Sequence, residues 1–215
     1  MRVVFPRLPD HTRGYALVER DDRVTYRLGS GPASAALPHD LVHLLVEDSL
    51  GISDGIWGAI AGGVVFRSMT HVAGRRPPHA AQRSAAIKRQ YGPALRRAEL
   101  LGGFVERLAR GGFGARVDVD GVRRLTHRWL TTEPDLTVDP AAVLRAVVAL
   151  GEAAGRWRAL EVGEEYVFRW PAHRRVRLDL GVAGAGSAAR RGGRPSGSSR
   201  SSRHGSAGRR GRAVA

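Results

Sequence analysis

His39, Asp40, His43 and Glu47 are the residues whose types and spacing suit chemistry. They fall in the run Leu37-Pro-His-Asp-Leu-Val-His-Leu-Leu-Val-Glu47. Four residues separate His39 from His43, so on a helix the two imidazoles lie one turn apart on one face. At about 100° per residue, His39, His43 and Glu47 span about 80° of arc, with Asp40 just beside them. Leu37, Leu41, Leu44 and Leu45 occupy the other side. The helix therefore has an apolar face and a separate titratable stripe. Two imidazoles at i and i+4 are how one helix gives zinc two ligands, with Zn–N about 2.0–2.1 Å. His39 and His43 are the metal-ligand candidates and Asp40 the candidate general base. Glu47 is a poor third ligand, because eight residues of helical rise put it about 12 Å along the axis from His39. The third ligand stays open among His71, His79 and His127. The competing reading makes these polar residues structural, hydrogen-bonded within the fold, with Asp40 favouring the positive end of the helix dipole.

Two resemblances attach to this run. His39-Asp40-x-x-His43 resembles the HExxH helix of zinc metallopeptidases over five residues, with aspartate where that family has its general-base glutamate. Being one methylene shorter, Asp40 would need a closer water or a shifted metal to act as base. More broadly, the LPHDLxHxxVE run, Leu50-Gly51 and Gly55-Ile56-Trp57-Gly58 are similar to an uncharacterised family of small bacterial proteins. That family has an N-terminal hairpin, this helix and a C-terminal Trp-x-x-Leu-x-x-Gly segment, here Trp157 to Gly163. The similarity covers about residues 14–170. It implies a shared domain and a His-Asp-His-Glu helix as a family feature, with no established activity.

Other catalytic signatures are absent. Gly29-Ser-Gly-Pro and Gly111-Gly-Phe-Gly lack the spacing and the lysine of a phosphate-binding loop. No Gly-x-Ser-x-Gly elbow occurs, and without cysteine there is no thiol nucleophile, disulfide framework or thiolate zinc site. Glu164 and Glu165 adjoin a strand and read as solvated. Trp57, Trp129, Trp157 and Trp170 sit at apolar periodic positions and read as core rather than base-stacking platforms.

The elements around the histidine helix follow from periodicity. Gly14 to Leu28 reads as a β-hairpin, with Val24, Tyr26 and Leu28 alternating with polar residues and Asp21-Asp22 as its turn. Met1 to Phe5 adds a strand. Pro38 to Leu50 is a helix stopped by Gly51. Ser53 caps a short helix running to Ala61, and Ser68 to His79 is a basic connection. Helices follow over 79–90 and 93–110. The second carries Leu95, Ala98, Leu101, Val105 and Leu108 at helical spacing and is weakened by Gly102-Gly103. Val122 to Leu130 predicts another short helix. Asp139-Pro140, a cap followed by proline at the first position, opens the clearest helix. Its buried stripe is Val143, Val147, Leu150, Ala154 and Trp157. Tyr166, Phe168 and Trp170 alternate, as do Val176, Leu178 and Leu180, so the two runs predict a second hairpin. The expected class is α+β, with hairpins at both ends around a helical middle, as one domain over 1–180 followed by a disordered tail over 181–215.

The chain has 215 residues, 42% of them hydrophobic, which suffices for a core without disulfides. Its longest uncharged, largely apolar run, Gly55 to Phe66, holds four glycines and is far shorter than the roughly 20 residues a membrane span needs. With no secretory signal in Met1 to Pro6, the sequence predicts a cytoplasmic protein. Net charge is +15, but Arg190, Arg191, Arg194, Arg200, Arg203, Arg209, Arg210 and Arg212 lie past Gly181 with no acid among them. Removing these eight from +15 leaves +7 for residues 1–180. Arginines spaced by Gly and Ser neutralise phosphates in a salt-sensitive, sequence-independent way. Lys88 is the only lysine, a bias that codon usage alone produces, so arginine abundance is weak support for nucleic acid as partner. The best sequence reading is a small binding or regulatory domain whose basic tail associates nonspecifically with nucleic acid. The alternative is a metal-dependent hydrolase, with a divalent ion such as zinc on the HDxxH helix.

Overall fold

The computed structural model describes residues 1–9, 14–29, 37–110, 117–133 and 135–178. The expected tail, 181–215, lies outside them. The class is α+β. Strands β1 (Arg2–Pro6), β2 (Tyr15–Glu19) and β3 (Thr25–Gly29) precede helices α1 (His39–Ser49) and α2 (Ile56–Gly62). Strand β4 (Met69–Ala73) leads into α3 (Ala80–Gln90), α4 (Gly92–Arg110), α5 (Val119–Thr132) and α6 (Pro140–Ala159), and β5 (Glu165–Arg169) follows.

The five strands form one sheet in the order β4-β3-β2-β1-β5. The pairs are all antiparallel, with Val3 opposite Val18 and Phe168, and Val18 opposite Tyr26. The β2–β3 hairpin matches its alternation, and β1 forms where Met1 to Phe5 predicts a strand, with Val3, Val4 and Phe5 all buried. In the turn it is Arg23, at φ 63°, that takes the left-handed conformation. Val3, Phe5, Ala16, Val18, Tyr26 and Leu28 join a core shared with α1, α4 and α6. Helix α1 packs on both α4 and α6, and every residue from Leu41 to Glu47 is buried. Each fully buried leucine there contributes about 1.5–3 kcal/mol. That apolar packing holds in place the helix that carries the histidines.

Four expectations need correction. Ser68 to His79 is not only a connection, because it contains the edge strand β4, paired to β3 alone. Residues 175–178 are not in a strand, so β5 has no hairpin partner there and pairs with β1 instead; Leu180 lies outside the described residues. Val176 is buried for another reason: it packs with Ala59, Val64 and Ile87 in a small second cluster, its N–H donating to Gly58 O. Ser53 does not cap α2, whose N-cap is Gly55. The helix expected over Val122 to Leu130 is longer, running from Val119 to Thr132, with Asp118 accepting from Gly121 N–H as its cap.

Asp139 caps α6 through Ala141 N–H as its sequence demands. Trp57, Trp157 and Trp170 are buried, while Trp129 is half-buried and stacks on Phe104 with centroids 4.0 Å apart. Glu164 and Glu165 are exposed. Among the described residues no helix is long and apolar enough to cross a membrane.

Candidate metal centre

Helix α1 begins at His39, with Pro38 as its N-cap, and ends ahead of Gly51, whose φ of 71° turns the chain away. His39 on the first turn is about half exposed; His43, one turn deeper, has a side chain only 4% exposed. Their rings tilt together with centroids 4.5 Å apart, and the two Nε2 atoms stand 3.2 Å from each other.

The third group comes from α4. Glu99 Oε2 is 3.5 Å from His43 Nε2, and one ligand atom from each of His39, His43 and Glu99 lies within 4.8 Å of the others. Among the described residues this is the cluster that has metal-ligand geometry. His71, His79 and His127 are not part of it. His71 Nε2 lies 2.8 Å from Gly74 O and its ring meets Tyr26 edge-on, His79 is the N-cap of α3, and His127 lies on α5.

Glu99 carries no local signal, since an acid on the polar face of a helix is ordinary. The clue is the Gly102-Gly103 pair one turn further on. A Cβ at Gly102 would collide with Cε1 and Nδ1 of the His43 ring. The missing side chain is what lets α4 approach α1 closely enough for Glu99 to reach the histidines.

Asp40 lies on the far side of His39, with Oδ1 3.7 Å from Nδ1. Interaction with the Asp40 carboxylate is the main reason the His39 pKa is raised, against the opposing effect of partial burial. A proton on Nδ1 facing that carboxylate is the arrangement that would leave Nε2 bare towards His43. His43 shows the opposite behaviour. Burial lowers its pKa, overcoming the attraction of Glu99, so the ring is neutral at pH 7 and offers a lone pair. Its Nδ1 is buried without a hydrogen-bond partner among the described residues. A metal-bound imidazole ordinarily donates that second N–H, so His39 has the supporting partner and His43 lacks it.

Glu47 leaves the stripe altogether. Its carboxylate accepts from Ile56 N–H at 2.7 Å and from Trp57 N–H at 3.0 Å, the first turn of α2. It supplies the cap that Gly55 cannot. The side chain is 1% exposed, and burial pushes its pKa up to about 8 while the N–H groups of Trp57, Ile56 and Gly58 pull the other way.

The histidines and Glu99 line a pocket of about 290 Å³, together with Asp40, Ser68 and Arg96. Leu28, Ile56, Trp57, Ile60, Phe66 and Leu95 make its apolar walls. Comparisons against family models, curated proteins and solved structures return no match for this chain.

Proposed function

We propose that the protein is a metal-dependent hydrolase that holds one divalent ion, zinc by donor chemistry, on His39, His43 and Glu99. The observation that supports this most is spacing. With bonds of about 2.0–2.2 Å, a tetrahedral zinc centre separates neighbouring ligand atoms by about 3.3–3.6 Å. Two of the three ligand–ligand distances here are 3.2 Å and 3.5 Å, and the third, between His39 and Glu99, falls within the 4.8 Å that spans the cluster. Two histidines and a glutamate are also the ligand set of catalytic zinc, which leaves a fourth position for water or substrate, whereas structural zinc is enclosed by four ligands. His39, His43 and Glu99 all line the pocket, which would give a water or substrate access to such an ion.

When bound, the ion supplies Lewis acidity and a water acidic enough to be a nucleophile near neutral pH. The chain does the rest. His43 stays neutral because it is buried, and Asp40 favours the His39 tautomer with its proton on Nδ1. In this reading Asp40 orients a ligand instead of acting as general base, because its carboxylate lies beside His39 Nδ1, 3.7 Å away. The apolar walls limit water around the reacting group. The partner missing from His43 Nδ1 lowers affinity by roughly 10–100-fold relative to a fully supported site, which makes the ion exchangeable.

Elemental analysis of the purified chain incubated with zinc and desalted tests the centre. We expect about one zinc per chain, removed by a chelator and absent in His39→Ala/His43→Ala. Zinc-dependent hydrolysis of a chromogenic ester panel, lost in Glu99→Gln, is the accompanying readout. Substoichiometric zinc in the parent, or full retention in the double variant, overturns the proposal.

A second reading concerns residues 181–215, where eight arginines without an acid support nonspecific association with DNA or RNA. A cytoplasmic setting, and a binding or regulatory role for the folded domain if no metal binds, belong to this reading.

A further inference from the structure

We propose that the pocket beside His39, His43 and Glu99 takes a small apolar molecule with one anionic group, a carboxylate or a phosphate, which Arg96 receives. This rests on the metal centre for its chemistry, but the anion site stands on separate residues. The volume of about 290 Å³ lies at the small end of ligand pockets, room for a small molecule and not for a polymer segment. Its walls are apolar over most of the lining, so the body of the ligand is apolar too.

One cation stands among the polar residues of the lining. Arg96 stands one turn before Glu99 on α4, on the same helix face, and lines the same pocket. It has no ion-pair partner among the described residues, whereas its neighbour Arg97 is held by Asp54 at 2.7 Å. An exposed guanidinium without an ion-pair partner among the described residues, lining an apolar cavity three residues from the proposed ligand Glu99, matches a ligand with a charged head and a reactive bond further in.

Asp40 and Glu99 line the pocket too, but the stretch that supplies most of its walls carries only positive charge. From Gly55 to Ala98 the chain holds no aspartate or glutamate. Within that stretch Arg67, Arg75, Arg76, Arg83, Lys88, Arg89 and Arg96 make no salt bridge among the described residues, and the stretch also supplies most of the pocket walls. Codon bias accounts for arginine in place of lysine but not for the missing acids. An excess of cations over acids in that stretch raises the local concentration of anions and speeds their capture. A divalent ion held by one carboxylate and two neutral imidazoles leaves a further positive charge inside.

Calorimetric titration of the full chain, zinc-loaded and chelator-treated, tests this with hexanoate and phenyl phosphate against hexanamide and phenol. We expect the anions to bind about tenfold or more tighter than their neutral counterparts, as a charge-assisted bond to arginine gives. Arg96→Gln should remove most of that preference, Arg96→Lys should restore part of it, and zinc content and neutral-ligand affinity should not change. Added salt should weaken the anions only. A preference undiminished in Arg96→Gln overturns the inference, as does one that vanishes when zinc is removed, since the anion would then sit on the metal alone. Equal binding of charged and neutral probes overturns it too. Failure to take up zinc would overturn the metal centre, and the chelator-treated titration would still decide on Arg96.

Discussion

Helix α1 carries two imidazoles and three carboxylates, and the surroundings of His39, His43, Asp40 and Glu47 give each a different task. Asp40 spends its charge on His39, His43 is kept neutral by burial, and Glu47 is withdrawn into the start of α2. Glu47 has the clearest measurable consequence. Its ordinary pKa is 4.5 and in the folded protein it stands at about 8. Between those values the native state keeps a proton that the unfolded chain has shed, so raising the pH through that window favours unfolding. The contribution is complete below pH 4.5 and lost by about pH 8. Glu47→Gln removes the titration and keeps one acceptor for α2. We therefore predict that the variant melts below the parent in acid and that the gap narrows steadily from about pH 4.5 to 8. A gap that widens with pH would show that the α2 N–H groups outweigh burial and hold the carboxylate ionised.

At the scale of elements, the approach of α4 to α1 assembles the site, and two adjacent glycines make opposite predictions there. Alanine in place of helical glycine gains up to about 1 kcal/mol of helix propensity. At Gly103 the added methyl meets only Arg107 Nη1 at 3.7 Å, an ordinary approach. Gly103→Ala should raise the melting temperature and leave zinc uptake unchanged. At Gly102 the same methyl falls on the buried His43 ring, so Gly102→Ala should lower both stability and zinc affinity despite its better propensity. Equal behaviour of the two variants in thermal melts and zinc titrations would refute the role given to Gly102. The sequence made α6 legible through Asp139-Pro140 and the β2–β3 hairpin through its period of two. It also put His39 and His43 on one face, because all of these are local patterns. Edge strand β4 was hidden because only Met69 of its five residues is buried, leaving no alternation. The alternation over Val176 and Leu178 misled for the converse reason, since Val176 is buried by α2 and α3 side chains and not by strand pairing. Glu99 was illegible because its meaning comes from another helix. Its nearby glycine pair, which reads as a weakness in one helix, is a requirement once two helices are packed.

For the whole molecule, the question is how charge is divided between the folded body and the residues beyond it. Every buried hydrophobic residue among those described lies at or before Val176. The eight arginines past Gly181 therefore add cationic charge after the last described core position. Truncation after Leu180 should leave the melting temperature unchanged, because no described core residue is removed. It should also lower DNA retention at low salt. If all eight arginines neutralise phosphates on duplex DNA, the full chain loses affinity with a slope of log K on log salt of up to about −7, and truncation flattens that slope by about 0.9 for each phosphate the tail had neutralised. The body retains +7, and its acid-free stretch from Gly55 to Ala98 is the competing source of retention. Salt-dependent binding of both forms separates the two. An unchanged slope after truncation would assign retention to the body and eliminate the tail as the nucleic-acid element. A fall in melting temperature would instead show that residues beyond Leu180 pack on the domain.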